Sequence, residues 1–172
     1  MTETPKNLFG IIGWKNAGKT TLVVRLVEHF TAQGLKVATV KHAHHDFDMD
    51  HPGKDSFKHR EAGAAQVIIA SDQRIAMLRE NRDPTPPTLE DTLRWVEPCD
   101  LILVEGFKRQ AHPKIEVIRG EPKDEPVALT DPSVKAIATD KDRHIGTQPV
   151  FDIEDIAAIA AFILQEAGLT DE

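Results

Sequence analysis

Apolar and polar positions along the 172 residues alternate with two periods, and the alternation predicts strands and helices in turn. Leu8-Phe9-Gly10-Ile11-Ile12 reads as a short buried strand. Thr20 to Gly34 reads as a helix, with Val23, Leu26, Val27 and Phe30 on one stripe and Gly34 as its stop. Lys36 to Val40 is the next strand, followed by a polar stretch from Lys41 to Lys54 and a short helix from Ser56 to Ala62 that Gly63 ends. Gln66 to Ser71 and Arg74 to Leu78 read as two strands joined at Ser71-Asp72-Gln73, an antiparallel hairpin at one side of the sheet. Asn81 to Pro87 is a proline-rich loop; Thr88 then caps a helix carrying Leu89, Leu93 and Val96, with Asp91 at the capping-box position. Leu101-Ile102-Leu103-Val104 is apolar throughout, as a central strand covered on both faces must be. Ile115 to Ile118 and Ala136 to Thr139 are further strands, and Gly120 to Pro132 is a surface excursion. Asp152 caps a last helix in which Ile153, Ile156, Ala157, Ala160, Ile163 and Leu164 recur at helical spacing. Strands that alternate with helices predict a mostly parallel central sheet with helices on both faces. No repeat or linker divides the chain, so one domain over 1–172 is expected.

The turn between the first strand and the first helix carries chemistry. Gly13-Trp14-Lys15-Asn16-Ala17-Gly18-Lys19-Thr20 satisfies G-x-x-x-x-G-K-[ST] in the strand–turn–helix context that gives the pattern meaning. Such a turn aims backbone N–H groups at one point, where the helix dipole also favours negative charge. Lys19 would reach the β- and γ-phosphates of a nucleotide, and the Thr20 hydroxyl would ligate Mg²⁺. The nucleotide-binding set expected here is Gly13, Lys15, Asn16, Ala17, Gly18, Lys19, Thr20 and Thr21. Lys15 adds either a phosphate contact or a charge facing solvent.

Composition narrows the function. A net charge of −7 with no Lys/Arg block argues against a nucleic-acid partner. No apolar run approaches a membrane span, and the N-terminus lacks a charged-then-apolar signal pattern, so a cytoplasmic protein is expected. The single cysteine, Cys99, excludes an internal disulfide and a Cys-x-x-Cys metal clamp.

Two further stretches stand out. Leu101 to Val104 runs into Glu105-Gly106, an apolar strand ending in a carboxylate. Opposite a phosphate-binding turn, such a group holds the metal's water shell or orients an attacking water, a place where most such proteins carry Asp. Between His42 and His51 fall four of the 8 histidines together with Asp46, Asp48 and Asp50. His42, His44, His45, Asp46, Asp48 and Asp50 form a nucleotide-responsive or ligand segment, a transition-metal site, or a plain solvated loop. In the first case Asp46 could join the metal's outer shell. Ala136-Ile137-Ala138-Thr139-Asp140 ends a late strand where a guanine-reading Asp belongs; Asp142 offers a second carboxylate, and a turn-forming Asp is the plain alternative.

Gly13 to Thr21, Val40-Lys41-His42 through Asp50, Pro52-Gly53-Lys54-Asp55-Ser56 and Asp100 to Lys108 together resemble the MobB family of molybdopterin-guanine dinucleotide biosynthesis adaptors. The resemblance implies a P-loop NTPase-like fold, binding of GTP and Mg²⁺, weak GTP hydrolysis at most, a homodimer, and association with MobA, the guanylyltransferase that attaches GMP to molybdopterin. Two other classes stay open on the residues alone. A small-molecule kinase or dethiobiotin-synthetase-like ligase shares the Val-Glu-Gly strand end, but a kinase lid should gather arginines, and Arg74, Arg79, Arg82 and Arg94 are spread over three elements. A GTPase metallochaperone fits the histidines but lacks a supporting thiolate.

Overall fold

The computed structural model describes residues 5–43, 47–83, 85–121, 124–141 and 145–170. They form two compact units, one from the residues up to His42 and from Leu89 onward, the other Ala43–Thr88.

The larger unit is built on six parallel strands: β1 (Leu8–Gly13), β2 (Val37–Lys41), β5 (Leu101–Glu105), β6 (Lys114–Ile118), β7 (Val134–Thr139) and β8 (Val150–Asp152). Their order across the sheet is β2-β5-β1-β6-β7-β8. The all-apolar Leu101–Val104 run lies between β2 and β1, fully inside the sheet, which is why it shows no polar alternation. Along β1, Phe9 and Ile11 pack with α1 (Lys19–Ala32) and α4 (Ile156–Glu166), through Leu22, Leu26, Phe30, Ile159 and Ile163. On the opposite face, Leu8 joins Val40, Ile102, Val104 and Leu89 of the short helix α3 (Leu89–Leu93), and Ile12 joins Ile118, Val134, Ile137 and Ala128. Period-2 alternation in β1 thus feeds separate apolar clusters on the two sides of the sheet.

Gly10 lies between Leu8 and Ile12 on that second face because a side chain does not fit: a Cβ there would strike the His112 ring and come within 2.9 Å of the Lys114 Cβ. His112 is 2% exposed, and neither ring nitrogen has a hydrogen-bond partner among the described residues. Lys114, fully buried at the start of β6, donates to the carbonyls of Lys108 (3.0 Å) and Gln110 (2.6 Å) and to Asp131 (3.0 Å). A buried ammonium survives only with such compensation, and here it ties down the connection that leads from Glu105 to β6. Glu116, also fully buried, accepts from the backbone N–H groups of Val127 and Ala128 in a 3₁₀ turn (Val127–Leu129). The 3₁₀ turn that follows Gly120 is therefore anchored to the sheet.

The smaller unit holds α2 (Asp55–Glu61) and the antiparallel pair β3 (Gln66–Ala70) and β4 (Ile75–Arg79). The hairpin forms as expected, but it is a two-stranded sheet of its own and not a margin of the main one. Main-chain pairing with a distant strand leaves no short-range mark in sequence. The last helix also starts later than expected. Asp152 belongs to β8 and accepts from Glu154 N–H, whereas Asp155 is the N-cap, accepting from Ala158 N–H at 3.0 Å. Ile153 is buried with the helix residues although it precedes the helix, which is how its periodicity extends the pattern too far.

Candidate functional site

At the carboxyl end of β1 the chain turns through residues 14–18 into α1. Asn16 (φ 64°) and Gly18 (φ 97°) take left-handed backbone conformations, and Ala17 N–H donates to Trp14 O at 3.2 Å. Gly13 (φ 146°) is required twice over, since a Cβ would also be driven into the Val117 carbonyl of the neighbouring strand. Lys15, Asn16, Thr20 and Thr21 are exposed; Ala17 is buried and Lys19 half-buried.

Lys19 folds back over the turn and donates to Trp14 O at 2.8 Å, which holds its ammonium at the mouth of the loop. Burial, foremost, lowers its pKa; the Glu105 carboxylate opposes that shift, and Lys108 and Lys41 add to it. Thr20 Oγ1 donates to Glu105 Oε1 at 2.9 Å across 85 residues of sequence. The two candidate metal-associated residues are therefore in contact. Their position follows from register: Ile11 in β1 and Lys41 in β2 both pair with Glu105 in β5. Lys41 Nζ lies 3.3 Å from Glu105 Oε1 and 3.5 Å from Thr20 Oγ1. A hydroxyl and a carboxylate already neighbouring an ammonium are hard oxygen donors facing a cation, and this donor set suits Mg²⁺.

After Glu105 the backbone bends through Gly106 (φ 97°) and Phe107 (φ 50°). The Phe107 ring lies against His42 with centroids 4.5 Å apart, and His42 N–H donates to Glu105 O at 2.9 Å. Lys108 places its ammonium 3.5 Å from the Trp14 ring centroid, a cation–π contact. Three lysines and one carboxylate thus surround the turn, a surplus of positive charge suited to a polyphosphate. Lys41 and Lys108 lie within stretches that carry the family resemblance, but no role follows for them from the sequence; Lys41 reads as the start of the polar stretch after the second strand, and the parallel register brings it to Glu105.

A cavity of about 420 Å³ opens beside the turn, lined by Trp14 to Ala17, by Val117, Ile118 and Arg119 at the end of β6, and by Glu121 and Asp124. Asp140, at the end of β7, uses Oδ1 to accept from Gly120 N–H at 2.9 Å and so fixes the turn that precedes Glu121. Asp142 lies outside the described residues.

Of the His/Asp segment, His44, His45 and Asp46 also lie outside the described residues. Asp48 and Asp50 meet Arg60 of α2, at 2.9 and 3.5 Å, and the same guanidinium reaches Glu80 at 2.7 Å. Hydrogen bonds from Arg60, foremost, and from Asp50 N–H hold the Asp48 pKa below its ordinary value. Asp50 is buried and takes the Ser56 hydroxyl at 2.9 Å. These two carboxylates are committed inside the smaller unit. Among the described residues no three His, Cys, Asp or Glu side chains converge on a metal-sized space, and no helix is long and apolar enough to cross a membrane.

Comparison with known proteins covers most of the chain. The family model described as MobB, molybdopterin guanine dinucleotide synthesis protein B, matches residues 8–140. A molybdopterin-guanine dinucleotide biosynthesis adapter protein of Escherichia coli is 38% identical over 161 residues, covering 92% of this chain and 91% of that protein. The adapter protein of that name from Haemophilus influenzae is 39% identical over 158 residues, covering 91% and 86%. Among solved structures, Bacillus subtilis MobB superposes with a TM-score of 0.75 at 25% identity, covering 96% of this chain and 99% of that one.

Proposed function

This chain belongs to the MobB family, and on that premise we propose that it is an adaptor in molybdopterin guanine dinucleotide biosynthesis that binds GTP with Mg²⁺ and assists a MobA-type guanylyltransferase. The observation that carries the nucleotide reading is the Thr20–Glu105 contact beneath the glycine turn. It joins the hydroxyl that starts the helix to the acidic end of the neighbouring strand, as metal-assisted triphosphate binding requires. Lys19 would meet the β- and γ-phosphates, and Thr20 and Glu105 would hold the Mg²⁺, which would supply charge neutralisation. Thr21 and the backbone of Lys15 to Gly18 cradle the phosphates. The segment from His42 to Asp50 responds to the nucleotide. Hydrolysis is weak at most, the protein works in the cytoplasm, and neither nucleic acid nor membrane is a partner. The kinase, ligase and metallochaperone readings give way because the family match spans most of the chain.

Chelation of Mg²⁺ should weaken GTP binding more than GDP binding. Glu105→Gln should remove most of that difference, about tenfold, because one charge-assisted contact is lost. A normal Mg²⁺ response of this variant in calorimetry would return Glu105 to a strand-end role.

Asp140 is the proposed reader of the base. In Asp140→Asn the amide oxygen can still accept from Gly120 N–H, while the other acceptor becomes a donor. That donor opposes the guanine N1–H and 2-amino groups and suits the 2-carbonyl of xanthine. GTP affinity should fall and XTP affinity rise by about tenfold each, at 1–3 kcal/mol for a mispaired polar group. Loss of both nucleotides would indicate damage, and no change would clear Asp140.

A second copy of the chain is the proposed occupant of the exposed hairpin face on which Ile68 (62% exposed) pairs with Met77 and Ile75 (74% exposed) with Ala70. A two-stranded sheet with an uncovered apolar face is marginal in water and gains most from a partner. The adaptor reading is tested by capture of a purified MobA-type guanylyltransferase on the immobilised chain. Retention that depends on GTP and Mg²⁺ is expected; equal retention in the Lys19→Ala variant would contradict a nucleotide-controlled adaptor.

A further inference from the structure

We infer that Lys41 is a tethered cation that competes with Mg²⁺ for the Thr20–Glu105 pair and so sets how much metal triphosphate binding requires; this inference rests on the nucleotide reading above. The fold sets the backbone of Lys41 there. Parallel register sets it directly opposite Glu105 on the adjacent strand, and His42, the next residue, is fastened to the Glu105 carbonyl. Its ammonium donates to the lone pair of the Thr20 hydroxyl, while that hydroxyl donates its proton to Glu105. The acceptor oxygens engaged by Lys41 are those the nucleotide reading assigns to the metal.

Mg²⁺ bonds oxygen at about 2.0–2.1 Å, and a cation that close to these oxygens repels an ammonium in contact with the same atoms. Entry of the metal therefore favours withdrawal of the ammonium. The lysine is free to withdraw, since its side chain is 60% exposed whereas that of Glu105 is 12% exposed. Lys19 is engaged elsewhere, with its ammonium on Trp14 O. Lys108 is drawn aside over the Trp14 ring. Lys41 is therefore the group that neutralises Glu105 when metal is scarce, and that neutralisation keeps the carboxylate from repelling the phosphates.

The test is calorimetric titration of GTP into the wild-type chain, Lys41→Met and Lys41→Arg over a Mg²⁺ series and in EDTA, with melting temperature as the folding control. For Lys41→Met two effects of opposite sign are expected. The Mg²⁺ concentration at half-effect should fall by about three- to fivefold, the scale of one partly exposed ion pair. In EDTA, GTP should bind more weakly than to the wild type, and GDP less affected. Lys41→Arg, which keeps the charge, should restore metal-free GTP binding. An unchanged or higher Mg²⁺ midpoint in Lys41→Met, or a parallel loss in both conditions, would overturn the inference while leaving the nucleotide reading intact. Failure of the wild-type chain to bind GTP at all would overturn both.

Discussion

Lys19→Ala is expected to weaken GTP binding by about a hundredfold while the protein stays folded. Lys19 is the first residue of α1, where alanine is a better helix former, and among the described residues its ammonium bonds Trp14 O, only five residues away. What is lost is a half-buried cation at the mouth of the glycine turn. Charge-assisted contacts to phosphate contribute roughly 2–3 kcal/mol, and 1.4 kcal/mol is tenfold in a dissociation constant. Among the described residues Lys41 contacts Glu105 and Lys108 the Trp14 ring, so neither occupies the place of Lys19. Calorimetry with GTP, beside a melting curve, checks this. Unchanged affinity would remove the phosphate-binding role of the turn.

The second large effect concerns stability in acid. Burial, with the Lys114 charge behind it and Asp131 opposing, lowers the His112 pKa from 6.5 to about 4. The unfolded chain therefore takes up this proton first. The stability His112 contributes is complete above its unfolded value and is lost as pH falls from 6.5 toward about 4. The full loss is on the order of 3 kcal/mol, from 1.36 kcal/mol per unit. Glu116 acts in the opposite sense. Burial, foremost, raises its pKa against the bonds from Ala128 and Val127, so its contribution is present at low pH and lost as pH rises through the raised value. Asp48 and Asp131, both held below their ordinary values, lose stability in acid as His112 does. Subtraction isolates the histidine. Urea midpoints of wild type and His112→Leu at pH 7 and pH 4.5 should show a smaller acid loss in the variant. Equal losses would mean that His112 is charged in the folded protein.

The parts of the fold legible in sequence are those fixed by neighbours along the chain. The glycine turn, the α1 stripe and the Leu101–Glu105 run each carry their signal within a few residues, and each forms where expected. Register is not local. That Lys41, Ile11 and Glu105 share one level of the sheet depends on which strands are adjacent, and the order β2-β5-β1 cannot be read from any one of them. The separate hairpin sheet was hidden for the same reason. β8 is three residues long, too short for a period to declare itself, and its Asp152 resembles a cap because a true cap, Asp155, follows three residues later. Lys114 reads as a polar residue flanking a strand, yet it is fully buried because two loop carbonyls and Asp131 converge on it.

The central claim, that the Gly13–Thr20 turn and Glu105 together form a metal-dependent triphosphate site, is tested most directly by titrating the wild-type chain with GTP in Mg²⁺ and again in EDTA. The account predicts saturable binding at one site per chain, weakened by EDTA for GTP and much less for GDP. Absence of saturable binding, or an affinity indifferent to both the metal and the third phosphate, would contradict it.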